Sequence, residues 1–309
     1  MIYGNVAGLE QPVSRVVLGS IMLDHNQLPY SFGMLDYFFE QGGNCIDTAY
    51  VYGGGTCERA VGEWLVQRNM RDKTVLIGKG GCTISVTPQL ITKELLESLD
   101  RLQTDHLDIY FMHRDNPLLP VGEFVECLNE HHRAGRIRAF GGSNWSPERL
   151  AEANAYAASH GLVGFAASSP NFSLAQWNEP MWNDCRTASD LTSRHWYETH
   201  DMALFAWSSQ ASGFFSGRFN AENRETADRE VVRVWYNEAN FRRLALAEEV
   251  AARQGVTATQ IALAYVLAQP LNIFALIGTR TTEETRTSLM ALDVKLTPEE
   301  LRYLNLEDA

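Results

Sequence analysis

An acid, a phenol, a primary amine and an imidazole stand at or near the ends of three successive apolar runs. They are Asp47 in NCIDT, Tyr52 five residues on in IDTAYVYGGG, Lys79 closing TVLIGK and His113 closing LDIYFMH. None of these side chains is typical of an apolar core, so their recurrence at run ends points to proton chemistry. A free phenol, with a pKa of about 10, is a poor acid at neutral pH. An ammonium beside it favours the phenolate and lowers that value, and a carboxylate would keep the ammonium charged and oriented. Each residue also has an ordinary reading: a helix cap for Asp47, a solvent-reaching amine for Lys79, plain loop residues for Tyr52 and His113. The combination is what favours chemistry.

The elements that must position them follow from the rest of the pattern. Eight short β-rich runs recur: VVLGS (16–20), NCIDT (44–48), TVLIGK (74–79), LDIYFMH (107–113), IRAFGGS (137–143), GFAAS (164–168), MALFAWS (202–208) and IFALIGT (273–279). Between them, SFGMLDYFFEQ, CERAVGEWLVQR, TPQLITKELLESLDRL, VGEFVECLNEHHRAG and SPERLAEANAYAASH carry apolar residues at helical spacing. Thr87-Pro88 and Ser146-Pro147 are helix starts, and further helices are expected near 190–199, 237–254 and 257–269. The second to sixth runs end at 47, 79, 113, 142 and 168, intervals of 32, 34, 29 and 26 residues. Each interval holds one strand, one helix and two loops. Such alternation implies an α/β protein with a parallel sheet flanked by helices. An open doubly wound sheet satisfies the pattern too, but eight units and no GxGxxG after the first run favour a closed (βα)8 TIM barrel. No linker-like stretch divides the chain, so residues 1–309 read as a single domain. In a barrel the run ends, and with them Asp47, Lys79, His113, Ser143 and Asn144, gather on the C-terminal face. The long, polar, aromatic-rich segments 169–190 and 209–236 each follow a strand and read as binding loops over that face.

Composition narrows the partners. A 45% hydrophobic and 21% charged chain is an ordinary globular one. With 38 acidic against 26 basic residues the net charge is −12, which disfavours nucleic acid and anionic membrane as partners. No run approaches the ~20 apolar residues of a membrane span, and the opening MIYGNVAGLEQPVSR lacks the features of a signal peptide. Cys45, Cys57, Cys82, Cys127 and Cys185 form no CxxC or zinc-ligand spacing. Free thiols in a reducing cytoplasm, no metal and a small-molecule partner are the expectations; the oligomeric state stays open.

Longer motifs add a resemblance. NCIDTAYVYGGGTCERAVGEWL, VLIGKGG, LDIYFMH, IRAFGGSNW, WSSQASGFFSGRF and IGTRTTEE…LMALDV resemble the aldo-keto reductase family over about residues 13–307. The resemblance implies a TIM barrel that reduces carbonyls with NADPH. The family's Asp, Tyr, Lys and His fall on Asp47, Tyr52, Lys79 and His113 without substitution. Hydride delivery to a carbonyl carbon builds negative charge on oxygen, so a donor is needed there. Tyr52 is expected to be that acid, with His113 donating to the same oxygen or relaying the proton. Cofactor contacts implied by the match are Gly19, Ser20, Asp47, Ser143, Asn144, Ser169, Trp207, Ser208, Ser209, Gln210, Ser212, Arg218, Gly278, Thr279, Arg280 and Glu284. Of these, Ser143 and Asn144 would meet the nicotinamide amide, Trp207 its ring, Ser208 to Arg218 the pyrophosphate, and Gly278 to Glu284 the adenosine end. Three departures stand out. The family's glutamine near the amide is Ser169 here, and its tyrosine three positions on is Phe172. In the adenine segment the commoner Arg/Gln, Glu and Asn are Glu284, Thr287 and Ser288. Glu284 would repel a 2′-phosphate if it faced one, leaving Arg280 to attract it; NADPH is expected, with NADH as the alternative. Substrate contacts are expected from Tyr52, His113, Arg114 and Trp145. With Met22, Asp24, His25 and Asp115 nearby, they suggest a polar carbonyl such as a sugar-derived aldehyde. Two rivals carry less: a nucleotide-sensing regulatory subunit of the same fold, and a metal-dependent sugar isomerase, which would need more carboxylates and histidines at the strand ends.

Overall fold

Runs such as VVLG and IFALI are apolar at every position, as strands of a parallel sheet covered on both faces must be. In the computed structural model, which describes residues 1–307, eight such strands close into one barrel. Two short antiparallel strands, β1 (Tyr3–Gly4) and β2 (Val13–Ser14), come first. The barrel follows: β3 (Val16–Gly19), β4 (Cys45–Asp47), β5 (Val75–Gly80), β6 (Leu107–Met112), β7 (Ile137–Ser143), β8 (Ala167–Ser169), β9 (Ala203–Ala206) and β10 (Ile273–Ile277). All neighbours are parallel, and β10 returns to β3 with Ala275 opposite Val16 and Ile277 opposite Leu18.

Helices cover the strands outside. After β3 to β7 come α1 (Leu28–Glu40), α2 (Thr56–Arg68), α3 (Pro88–Arg101), α4 (Val121–Arg133) and α5 (Pro147–Ser159). α6 (Leu191–His200) follows β8, and α7 (Arg229–Trp235), α8 (Glu238–Gln254) and α9 (Ala258–Leu267) separate β9 from β10; α10 (Thr282–Leu289) and α11 (Pro298–Leu304) end the chain. The starts read from sequence have their physical cause in place. Thr87 and Ser146 accept the Leu90 and Arg149 backbone N–H groups, with proline at the first turn of each helix.

Strand period two divides every strand between barrel interior and helix-facing exterior. The interior is apolar below the mouth: Val17, Cys45, Val75, Ile77, Ile109, Phe111, Ala139, Ala167, Ala203, Phe205, Phe274 and Leu276 form one buried cluster. Val6 and Val13 join it, so the β1–β2 ribbon plugs the N-terminal end. Phe205 lies between Phe111 and Phe274, with ring centroids 5.6 and 4.6 Å away.

The expected elements differ from the observed ones in three places. The sixth strand is Ala167–Ser169 rather than 164–168, because Phe165 packs against Trp145 and Phe140 and pairing begins at Ala167. The segment 209–236 is not loop throughout: it contains α7, capped by Asp228. Helices α10 and α11 and the β1–β2 ribbon, absent from the sequence reading, are too short for a strong periodic signal.

Gly141 shows how tightly the interior is filled. A Cβ built on it would meet the Ala167 carbonyl and lie 2.9 Å from the Phe111 ring. Gly141→Ala is therefore expected to lower the unfolding free energy by about 1–3 kcal/mol through overpacking. Urea denaturation at neutral pH checks this; an unchanged midpoint would mean that the strand yields.

Candidate active site

The inward series of each strand continues upward into polar residues. Cys45 leads to Asp47, Val75 and Ile77 to Lys79, Phe111 to His113, and Ala139 and Gly141 to Ser143. The polar residues line a cavity of about 920 Å³ at the C-terminal mouth, and Tyr52, Arg114, Asn144 and Trp207 line it too. His113 lies just past β6, but its N–H donates to the Gly80 carbonyl at 2.7 Å, which carries the ladder one residue further.

Tyr52 reaches the cavity from a loop. The backbone N–H groups of Thr48 and Tyr50 bond to the carbonyls of Ile77 and Lys79, tying the loop to β5. Gly53, Gly54 and Gly55 then take φ values of +56°, +62° and +96°, a left-handed run that glycine adopts without strain. Arg101 braces the loop from behind. Its guanidinium donates at 3.0 Å to the Tyr50 carbonyl and at 3.0 Å to buried Glu58, and lies 4.3 Å from the centroid of the Tyr50 ring. Neither Arg101 nor Glu58 was singled out in the sequence, where both look like ordinary residues on helix faces.

Lys79 donates a hydrogen bond to Asp47, and both are buried. Burial disfavours the ammonium, but Asp47 and Tyr52 outweigh it and hold the Lys79 pKa above its usual value. Burial pushes the Asp47 carboxyl up against the pull of Lys79. The Lys79 nitrogen lies 5.4 Å from the centroid of the Tyr52 ring. Tyr52 differs from the expectation: burial raises the phenol above its ordinary value, and Lys79 opposes that rise without reversing it. Tyr52 therefore holds its proton at neutral pH. His113 is driven well below the usual histidine value by burial, then by the charges of Lys79 and Arg114, so the ring is neutral. The two rings meet edge to face at 6.1 Å, and the His113 Nδ1 has no hydrogen-bond partner.

The cavity extends along the loops after β9 and β10. Gly19, Ser208, Ser209, Gln210, Ser212, Arg218, Gly278, Thr279, Arg280 and Glu284 line it. Ser208, Ala211 and Ser212, none of them glycine, take φ values of 49°, 48° and 53°. Strained backbone of this kind clusters at ligand sites. Asn144, at φ 61°, is held in place by its own hydrogen bonds: its Nδ2 donates to Ser143 Oγ at 3.1 Å and its Oδ1 accepts from Arg186 N at 3.1 Å.

Several expected residues fall elsewhere. Trp145 is not at the cavity; it packs outside the barrel against Phe124 and Phe165, because the left-handed turn at Asn144 breaks the strand alternation and sends it to the helix side. Ser20 is buried and does not line the cavity. Ser169 is not among the lining residues; its carbonyl accepts from Ser143 Oγ at 2.9 Å and Asn144 N at 3.2 Å, while its own buried hydroxyl has no partner. Asp115 turns away to a two-pronged pair with Arg149, and Asp24 caps the turn at Asn26. Neither Asp24 nor His25 lines the cavity, whereas Met22 does. The sugar-directed reading thus loses three of its polar groups. Met181, Trp182 and Cys185, which sequence reasoning did not single out, line the mouth. Trp182 and Trp177 lie 5.7 and 5.8 Å from Trp207, centroid to centroid. The aromatic richness of residues 169–190 was the signal that could have found them.

Residues 15–306 match the model of the aldo/keto reductase family. The chain belongs to that family. It is similar to a putative aryl-alcohol dehydrogenase of Saccharomyces cerevisiae, 30% identical over 89% of this chain and 75% of that protein. It is likewise similar to a norsolorinic acid reductase of Aspergillus flavus, 31% identical over 89% of this chain and 70% of the relative. A solved thermostable aldo-keto reductase, crystallised with the inhibitor epalrestat, matches 99% of both chains with a TM-score of 0.77; at 23% identity it speaks for the fold. Family membership makes the chain an oxidoreductase and sets the isomerase reading aside.

Aldo-keto reductases use nicotinamide cofactors, and the residues here fit one. A cavity of about 920 Å³ lies at the upper end of the range for small-molecule sites. Trp207 Nε1 is buried without a partner, and Ser143 and Asn144 bring a hydroxyl and an amide to the cavity wall. Left-handed backbone at Ser208, Ala211, Ser212 and Gly213 is of the kind that turns successive N–H groups toward an anion. At the far end Glu284 accepts the Arg280 backbone N–H at 2.7 Å, so its carboxylate is engaged with the chain while it lines the cavity. Among the described residues no helix is long and apolar enough to cross a membrane.

The neutral His113 makes the aldo-keto reductase site sensitive to acid. Its folded-state pKa lies below the unfolded value of 6.5, so unfolding takes up a proton below that pH. The stability it confers is present above pH 6.5 and is lost as pH falls toward the folded value. His113→Gln should therefore narrow the difference in unfolding free energy between pH 7.5 and pH 5 by up to about 2 kcal/mol. Urea titrations of both proteins at the two pH values measure it, and an unchanged difference would place the acid sensitivity elsewhere.

Proposed function

We propose that the protein reduces an aldehyde or ketone to an alcohol with NADPH, Tyr52 serving as general acid. The observation that carries this reading is the meeting, in one cavity, of a protonated buried phenol, a neutral imidazole and a paired lysine with a loop suited to a pyrophosphate. A reduced nicotinamide nucleotide supplies the hydride. The chain's own groups manage the proton and the charge. As the carbonyl oxygen gains charge, Tyr52 gives it a proton, and Lys79 stabilises the phenolate left behind. Asp47 keeps Lys79 oriented and charged through that change. Neutral His113 donates to the same oxygen without carrying charge, and so orients the carbonyl. In the alcohol-oxidising direction the same phenolate takes the proton back.

Ser143 and Asn144 would hold the carboxamide, Trp207 would cover the ring, and Ser208 to Arg218 would take the pyrophosphate with Ser209, Gln210 and Ser212. Arg280 is exposed at the adenosine end, where its guanidinium is available to a 2′-phosphate. Glu283 is paired with Arg286 at 2.6 Å, and the Arg280 guanidinium has no carboxylate partner among the described residues, which supports NADPH over NADH. The names of the relatives, an aryl-alcohol dehydrogenase and a norsolorinic acid reductase, and the indoles of Trp182 and Trp207 at the mouth support an aromatic carbonyl rather than a sugar.

Initial rates over a panel of aromatic and aliphatic aldehydes with each nucleotide test the reading; absence of turnover on all of them would end it. Tyr52→Phe should lower turnover by about two to four orders of magnitude while quenching of tryptophan fluorescence by NADPH is nearly unchanged. Wild-type turnover in that variant would defeat the assignment of the acid. Arg280→Ala should raise the NADPH dissociation constant about ten- to hundredfold and the NADH constant far less. An equal effect on both would mean that Arg280 does not read the 2′-phosphate.

A further inference from the structure

Arg114 is a buried cation on the cavity wall with no carboxylate to meet it among the described residues. It is 9% exposed and follows His113 directly in the chain. Two of its donors are used within the protein: Nη1 donates to the His113 carbonyl at 2.8 Å and Nη2 to the Cys185 sulfur at 3.2 Å. A thiol is a weak acceptor, and a guanidinium has five N–H donors. Arg71, Arg101 and Arg149 meet Asp108, Glu58 and Asp115 respectively, each within 3.0 Å. Arg243 is also buried without a carboxylate among the described residues, but it does not line the cavity. Asp115, the neighbouring acid that could have neutralised Arg114, is taken by Arg149. From β3 through the loop after β8, Asp47 is the one carboxylate among the lining residues, and it is paired with Lys79.

The geometry points to Arg114 as a recognition site for an oxyanion on the substrate. It implies that the preferred substrate is a carbonyl compound bearing a carboxylate or like group remote from the reacting carbon. This rests on the carbonyl-reduction reading and names the substrate class within it. The burial of a cation costs free energy that an anionic partner recovers, and Arg is the side chain whose planar fork matches a carboxylate. The chain's net charge of −12 would not draw anions to its surface in general, so the attraction has to come from a local group. Met22, Met181 and Trp182 line the same cavity and suit the apolar body of such a molecule. Because Arg114 is tied to the His113 carbonyl, an anion held there is placed relative to the imidazole that orients the reacting oxygen. Arg114 is a specificity-determining residue on this account and takes no part in the proton transfer.

The test is a binding comparison that needs no turnover. Tryptophan fluorescence follows titration with 4-(hydroxymethyl)benzoate and with 4-methylbenzyl alcohol, near-isosteric alcohols that differ in the anion. The protein is used with NADPH and, in a second arm, without it. Wild type is expected to bind the carboxylate about ten- to hundredfold more tightly than the neutral alcohol. Arg114→Met should erase that ratio, and Arg114→Lys should keep part of it. Should Arg114→Met not fold, Arg114→Gln, which retains a donor for the His113 carbonyl, takes its place. A wild-type ratio near one, or a ratio that survives loss of the guanidinium, overturns the proposal. Failure of NADPH to quench the fluorescence would instead count against the nucleotide reading, while the nucleotide-free arm still decides the role of Arg114.

Discussion

The site depends on a lysine and an aspartate that share a hydrogen bond inside the barrel mouth. A lone ammonium in that position would lose its proton, and a lone carboxylate would gain one, because burial penalises both charges. Together they keep Lys79 a cation beside Tyr52, at a place where water does not screen it. Breaking such a pair by removing one partner typically costs about 3–5 kcal/mol. The barrel carries that burden by filling its interior with Phe111, Phe205 and Phe274 below the pair and closing the lower end with the β1–β2 ribbon.

The protonation states follow from the same burial. Lys79 moderates the Tyr52 phenol but does not override desolvation, so the residue rests as an acid. His113 is neutral for the same reason, helped by the neighbouring cations. An acid with its proton, a neutral donor and a charged lysine form a set prepared for charge developing on a carbonyl oxygen. Around that centre the cavity changes character. Toward β9 and β10 its wall is small hydroxyls, strained backbone and exposed arginines; toward the loop after β8 it is methionine, indole and thiol, with Arg114 set among them.

Much of this was legible in the sequence because parallel strands have a period of two and a nearly constant repeat length. Intervals of 26 to 34 residues among the ends of the second to sixth runs require βα units, and the polar residue that ends an inward series belongs at the mouth. Asp47, Lys79, His113 and Ser143 obey that rule. Residues in the loops escape it. Trp145 stands two positions past Ser143 in number but not in direction, because Asn144 turns the chain with a left-handed φ. Asp115 and Asp24 looked like mouth residues and are occupied by Arg149 and a capped turn. Ser169 holds Ser143 and Asn144 through its carbonyl, a contact that no side-chain type announces.

What the sequence by itself determined was the kind of fold, the family and the order in which four proton-handling residues come to one face. These are set by local periodicity and by motifs that survive without knowledge of distant contacts. Only the tertiary structure decided the charge state of each group, since that depends on how much water the packed barrel excludes. It alone also decided which charges find partners: Arg149 takes Asp115, Arg101 takes Glu58, and Arg114 is left facing the cavity. Pairing of that sort is a matter of distances across loops from different strands, and no spacing along one chain encodes it.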